Sequence, residues 1–261
     1  MACLTALTAT LLLASGSETP PPTSIQDAPA PTFPQWNGSL TFGAIWTAGN
    51  TEASSVSGSF NTVRRGEKDR WTLDLFTNYG ETQKSDNDPT TKHKTVTTNN
   101  SGGGLKYDYF ASKKLYLFAN GTGKVDHVAD LDLRYIVGLG AGYQVKETEK
   151  VKWGTEIGAS YVDEDLGDDT ADANFVALRL GSNLAWQISK TSAFEQVAEI
   201  LPSIEDSEDV IAKVDNRLKT NLGGKWIAQL QYVLEWDDSV PAGNTESDHR
   251  VVASIGWSFG S

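Results

Sequence analysis

The chain has 261 residues, enough for one all-β domain, with a mean hydropathy of −0.35 and no apolar run near the ~18 residues of a membrane helix. Its formal charge of −12 argues against a nucleic-acid partner, which would require a basic stripe. Cys3 is the single cysteine, so a disulfide framework and a cysteine-rich metal site are both excluded.

Ala2 to Ala14 is apolar and is followed by the small residues Ser15, Gly16 and Ser17. Residues 1–17 therefore resemble the core of a secretory signal peptide, although no positive n-region precedes it. Six of the nine prolines lie between residues 16 and 34, so 18–35 is expected to be an extended, disordered leader.

From Trp36 onward the chain breaks into segments of roughly ten residues in which every second residue is apolar, the pattern of barrel strands. The first carries Trp36, Gly38, Leu40, Phe42, Ala44 and Trp46 on one face, then turns at Gly49-Asn50. The second returns through Val56, Gly58 and Phe60, and the third shows Trp71, Leu73, Leu75 and Tyr79. The fourth ends in Leu105, Tyr107 and Tyr109, and the fifth begins Leu115, Leu117 and Ala119. The sixth is the clearest, with Leu133 to Val145 alternating against Arg134, Gly138, Gly140, Gly142 and Gln144. Val151 to Tyr161, Val176 to Trp186 and the weaker Phe194 to Ile200 follow, with Pro202 suiting a strand end. Val210 to Leu222, Trp226 to Trp236 and Val251 to Phe259 complete twelve strands. A ten-residue strand reaches ~33 Å, and a ~45° tilt leaves ~23 Å of height, close to the apolar band of an outer membrane.

Alternation alone does not say which face looks outward. Three features point the apolar face at lipid. All eight tryptophans fall near segment ends, where interfacial girdles belong. The polar face carries full charges in mid-strand at Glu156, Arg179 and Arg217. The connections alternate between short turns bearing Lys or Arg, on the side of the termini, and longer acidic loops on the other side. The expected fold is a single antiparallel up-and-down transmembrane β-barrel over residues 36–261, in the outer membrane of a Gram-negative-type bacterium.

Several stretches resemble the salt-induced outer-membrane protein family (domain of unknown function 481). They are Gly49-Asn50-Thr51, Tyr107-Asp108-Tyr109-Phe110, Asp130-Leu131-Asp132-Leu133-Arg134-Tyr135, Glu235-Trp236-Asp237-Asp238 with Pro241-Ala242-Gly243, and Ser254-Ile255-Gly256-Trp257-Ser258-Phe259. The resemblance runs from about Trp36 to the C-terminus and implies an outer-membrane barrel and a link to osmotic stress, but no activity. Phe259 looks like the terminal aromatic read by the barrel-assembly machinery, with Gly260 and Ser261 beyond it.

The candidate functional residues are the inward charges Arg134, Glu156, Arg179, Glu199, Lys213, Arg217 and Glu235. Strand order puts Glu156 beside Arg179, Glu199 beside Lys213, Lys213 opposite Glu235, and Arg217 opposite Gln231. They read either as a pore lining that selects small solutes, or as an alternating-sign network that neutralises a narrow lumen. Twelve strands stand between the filled eight-stranded barrels and the open porins. The functional expectation is a narrow passive channel or an envelope structural protein. The alternative is a surface binding or adhesion module whose acidic loops hold divalent cations or bridge to lipopolysaccharide, with Asp163, Asp165 and Asp168 as candidate ligands. No cofactor is expected, and no enzyme, because no serine sits in a nucleophile motif and the histidines His93, His127 and His249 lie in loops or at a strand start.

Overall fold

The structure, a computed structural model, describes residues 35–48, 52–85, 92–167, 173–206, 209–238 and 245–260. The expected export signal, most of the leader, Gly49-Asn50, Asp168 and Pro241-Ala242-Gly243 lie outside the described residues.

Twelve strands follow in order: β1 Trp36–Thr47, β2 Glu52–Arg65, β3 Asp69–Ser85, β4 Lys92–Phe110, β5 Leu115–Asp126, β6 Leu131–Glu147, β7 Val151–Leu166, β8 Ala173–Gln187, β9 Ser192–Pro202, β10 Val210–Gly223, β11 Trp226–Asp237 and β12 Ser247–Phe259. Each pairs antiparallel with its neighbours in sequence, and β12 closes on β1. Closure gives the inter-strand backbone groups partners around the ring, the condition for strands to exist in hydrocarbon, although the β1–β12 ladder covers only Gly38–Phe42 and Ile255–Phe259. The connections on the side of the termini span two to four residues, and those on the other side four to nine. We call these the turn side and the loop side. The tightest turn follows Gly223 and includes Gly224, whose φ values of 125° and 57° demand residues without a Cβ.

The strands are longer than the alternation predicts, from 11 residues in β9 to 19 in β4. The extra length is on the loop side, where β3 continues to Ser85 and β4 starts at Lys92. Outside the bilayer the outward face no longer needs apolar residues, so the period-2 signal fades while the ladder continues through Thr82↔Thr95 and Gln83↔Lys94. The acidic stretch 163–165 belongs to this extension as well. It is strand rather than loop, and its side chains alternate between the two faces.

The barrel is inside-out. Phe42, Leu139 and Val251 are 60%, 69% and 63% exposed, while Glu156 and Arg179 are 4% and 6% exposed. Outward aromatics mark two levels: Trp71 and Tyr79 on β3, Tyr143 and Tyr135 on β6, and Trp153 and Tyr161 on β7. Each pair is eight residues apart, which at the usual rise and tilt gives ~20 Å of height, the span of an apolar membrane band. Trp36, Trp186, Trp226 and Trp257 join the turn-side level, and Trp226 packs edge-on against Trp257 at 5.4 Å. An apolar surface of this extent, bounded by aromatic rings, is stable only against lipid.

Candidate functional site

The lumen is polar for most of its length, but two apolar clusters also face inward. Phe110, Tyr116 and Phe118 form one on the turn side. Ile136, Val162, Phe175, Ala177 and Leu201 form the other toward the loop side of β6 to β9. The aromatic cluster explains Gly140 and Gly142 on β6, whereas a Cβ at Gly138 would meet Ser160 and Asn120 instead. A Cβ at Gly140 would lie 2.7 Å from the Phe118 ring, and one at Gly142 would overlap Tyr116. The glycines are therefore the space into which β5 lays its rings. Arg65 caps this cluster, with its guanidinium 3.4 Å from the Phe110 ring centre.

Above the aromatics sits a charge cluster centred on Glu156. Its carboxylate accepts from Arg179 Nη1 at 2.7 Å, from the Tyr116 hydroxyl at 2.8 Å and from Asn183 at 3.1 Å, and it pairs with Lys106. Lys106 also reaches Asp108 at 2.8 Å, and Asp108 holds Arg70 at 2.6 Å. Arg179 extends the chain to Glu199 at 2.6 Å. Strands β3, β4, β5, β7, β8 and β9 are thereby tied together from within.

A second set crosses the lumen. Lys124 on β5 meets Glu235 on β11 at 2.8 Å, and Lys213 on β10 meets the same carboxylate at 3.0 Å. Arg134 on β6 pairs with Glu164 at 2.5 Å and with Asp237 on β11. Arg217 on β10 bonds Asp215 at 2.6 Å and reaches Asp74 on β3 at 3.4 Å. Strands β5 and β11 are six steps apart in either direction around the barrel. A circular twelve-strand barrel would be ~24 Å across, more than a lysine and a glutamate cover together, so the section there is drawn into an oval.

The candidate residues read from the sequence all line this lumen, with partners that differ in part from those expected. Glu156 and Arg179 do pair, although diagonally, since Glu156 faces Gly181 and Arg179 faces Gly158 in register. Lys213 lies opposite both Glu199 and Glu235, yet Glu199 binds Arg179 instead. Arg217 lies opposite Gln231, and both side chains converge on Asp215. Residues that sequence reasoning missed are Lys106, Asp108, Lys124, Asp74 and Asp215. The signal for Lys106 and Asp108 was present: they alternate with the outward Leu105, Tyr107 and Tyr109.

Of the candidate cation ligands, Asp163 and Asp165 belong to the outer face of β7, where Asp163 accepts from the Tyr161 hydroxyl at 3.0 Å, while Glu164 points inward to Arg134 and Asp168 lies outside the described residues. Among the described residues no three acidic, histidine or cysteine side chains converge as a metal site. His249 is outward, with Nδ1 2.9 Å from the Tyr232 hydroxyl.

In contrast to the β4 to β11 side, the inward residues of β12, β1 and β2 include many small ones, Ser39, Thr41, Gly43, Ser57, Ser59 and Ser254, beside the two arginines Arg65 and Arg250.

A closed barrel with a lipid-facing apolar belt and a charged, drawn-in lumen defines the class: a transmembrane up-and-down β-barrel. Residues 40–259 match the family described as "Protein of unknown function, DUF481", and the chain belongs to that family. A search of curated proteins found no match to the sequence. Solved structures to which it is similar include the translocator domain of autotransporter NalP from Neisseria meningitidis, at 11% identity over 88% of this chain and 90% of that one, with a TM-score of 0.46. The NanC porin is similar at 9% identity over 84% and 98%, with a TM-score of 0.49. The COG4313 outer membrane channel from Pseudomonas putida F1 is similar at 14% identity over 91% and 99%, with a TM-score of 0.47.

Proposed function

We propose that this protein is an outer-membrane barrel of a Gram-negative-type bacterium that works as a narrow passive pore for ions and very small hydrophilic solutes. The observation that carries this reading is the Lys124–Glu235 pair, which bridges opposite walls of the lumen. A barrel meant only to be filled gains more from apolar side chains, because each buried ion pair carries a desolvation cost that its attraction scarcely recovers. Charges left in mid-lumen imply water beside them. The pair itself is only partly buried, with Lys124 at 19% and Glu235 at 18% exposed, and the cross-lumen pairs limit the aperture.

The test is single-channel conductance of the refolded barrel in a planar bilayer. Small steady openings are expected, and Lys124→Ala with Glu235→Ala should enlarge them by removing the bridge. A silent bilayer, with a heat-modifiable band showing that the barrel is folded and inserted, would overturn the pore and leave a structural role in the envelope.

A further inference from the structure

The seam between the first and last strands is closed over only part of its length. The β1–β12 ladder pairs Gly38–Phe42 with Ile255–Phe259 and stops there. Beyond it β1 continues to Thr47 and β12 begins at Ser247, and each remains paired on its other side, with β2 and with β11. An unladdered strand edge at membrane depth is costly, because lipid offers its N–H and C=O groups nothing. The stretch begins immediately on the bilayer side of Trp46, the loop-side interfacial tryptophan of β1, which is 81% exposed.

A cavity of about 240 Å³ occupies this gap, and its lining changes character through the wall. Ala44, Val56 and Val251 belong to the lipid face, and Ser57, Asn78 and Arg250 to the lumen face. Arg250 is held by no carboxylate among the described residues. Its contacts are Asn100 Oδ1 at 3.5 Å and the Phe76 ring at 5.7 Å. The nearby Glu235 is already shared by Lys124 and Lys213, and Asp248, two residues along β12, is exposed and forms no ion pair with Arg250. One guanidinium that forms no ion pair among the described residues, and shares the field of Glu235 with two lysines, therefore stands at the inner end of a passage that is apolar at its outer end.

We propose that the gap between the loop-side halves of β1 and β12 is a lateral portal for a single-tailed carboxylate amphiphile. Its carboxylate would sit on Arg250 as a bidentate, charge-assisted pair, and its tail would pass between the strands into lipid. A guanidinium with no ion-pair partner among the described residues fits one negative charge. The cavity is smaller than the ~300 Å³ at which drug-sized pockets begin, so it takes a head and a few methylenes and leaves the chain in the bilayer. This occupancy needs no conducting lumen, so it stands or falls independently of the pore.

The experiment uses the full chain refolded into phosphatidylcholine vesicles, with 11-(dansylamino)undecanoic acid as the probe and tryptophan-to-dansyl energy transfer as the readout. Saturable transfer is expected, about tenfold or more weaker in Arg250→Gln, the loss expected for one hydrogen-bonded charge. Extending the register beyond Phe42↔Ile255 sets Ala44 opposite Ala253. A disulfide between Ala44→Cys and Ala253→Cys, in a Cys3→Ser background, should zip the seam and abolish saturation, and reduction should restore it. Transfer that rises linearly and is unchanged in both variants would overturn the portal. Equal affinity for the uncharged dansyl alcohol of the same length would overturn the role of Arg250. Heat-modifiability confirms that each variant is folded.

Discussion

Glu156→Ala offers the sharpest test of the lumen chemistry. The side chain is 4% exposed and binds Lys106, Arg179, Tyr116 and Asn183. Removing one partner of a buried ion pair costs ~3–5 kcal/mol when the other is stranded. Here neither cation is stranded, because Lys106 keeps Asp108 at 2.8 Å and Arg179 keeps Glu199 at 2.6 Å. The principal loss is the acceptor for the fully buried Tyr116 hydroxyl, an unmade bond worth ~1–3 kcal/mol, with a smaller share from Asn183. The expected destabilisation is about 2–3 kcal/mol for Glu156→Ala, and about 1 kcal/mol for Glu156→Gln, which keeps an acceptor in place. Urea unfolding in lipid vesicles, followed by tryptophan fluorescence, measures both through the midpoint at constant m. A cost below about 0.5 kcal/mol for Glu156→Ala would show that water serves Tyr116 equally well and would refute the argument. Equal costs for Ala and Gln would refute it differently, by assigning the whole effect to charge.

Three further substitutions test the packing and the membrane level. Gly142→Val would drive its Cβ into the Tyr116 ring, so a loss of about 1–3 kcal/mol or failure to give a heat-modifiable band is expected. Unchanged stability would mean that β5 does not seat its rings on these glycines. Leu139 lies midway between Tyr135 and Tyr143 on the lipid face of β6, so Leu139→Arg should cost about 2–4 kcal/mol and Tyr135→Arg about 0–1 kcal/mol. Equal unfolding midpoints for these two variants would contradict the two aromatic levels.

Strand number, order and facing were legible because lipid and water demand opposite chemistry on the two sides of one wall. From Leu133 to Val145 every second residue is apolar because lipid lies outside, and Trp71, Trp153 and Trp226 mark where lipid ends. Short-range neighbours could be read as well, since hairpin turns set the register that places Lys213 opposite Glu235. Strand ends could not, because at Thr82 or Asp163 the outer face is already in water and the alternation stops while the ladder does not.

By itself, then, the sequence determined a barrel of twelve strands, which residues face lipid, and which charges face inward. The tertiary structure decided whom those charges meet. Glu199 chooses Arg179 over the Lys213 beside it, and Lys124 reaches Glu235 from the opposite wall. Both outcomes depend on tilt, stagger and how far the section is drawn in, which are properties of the closed ring and of no single strand. The partly open seam between β1 and β12 has the same origin. It joins residues more than two hundred positions apart, and no local pattern records how far they zip.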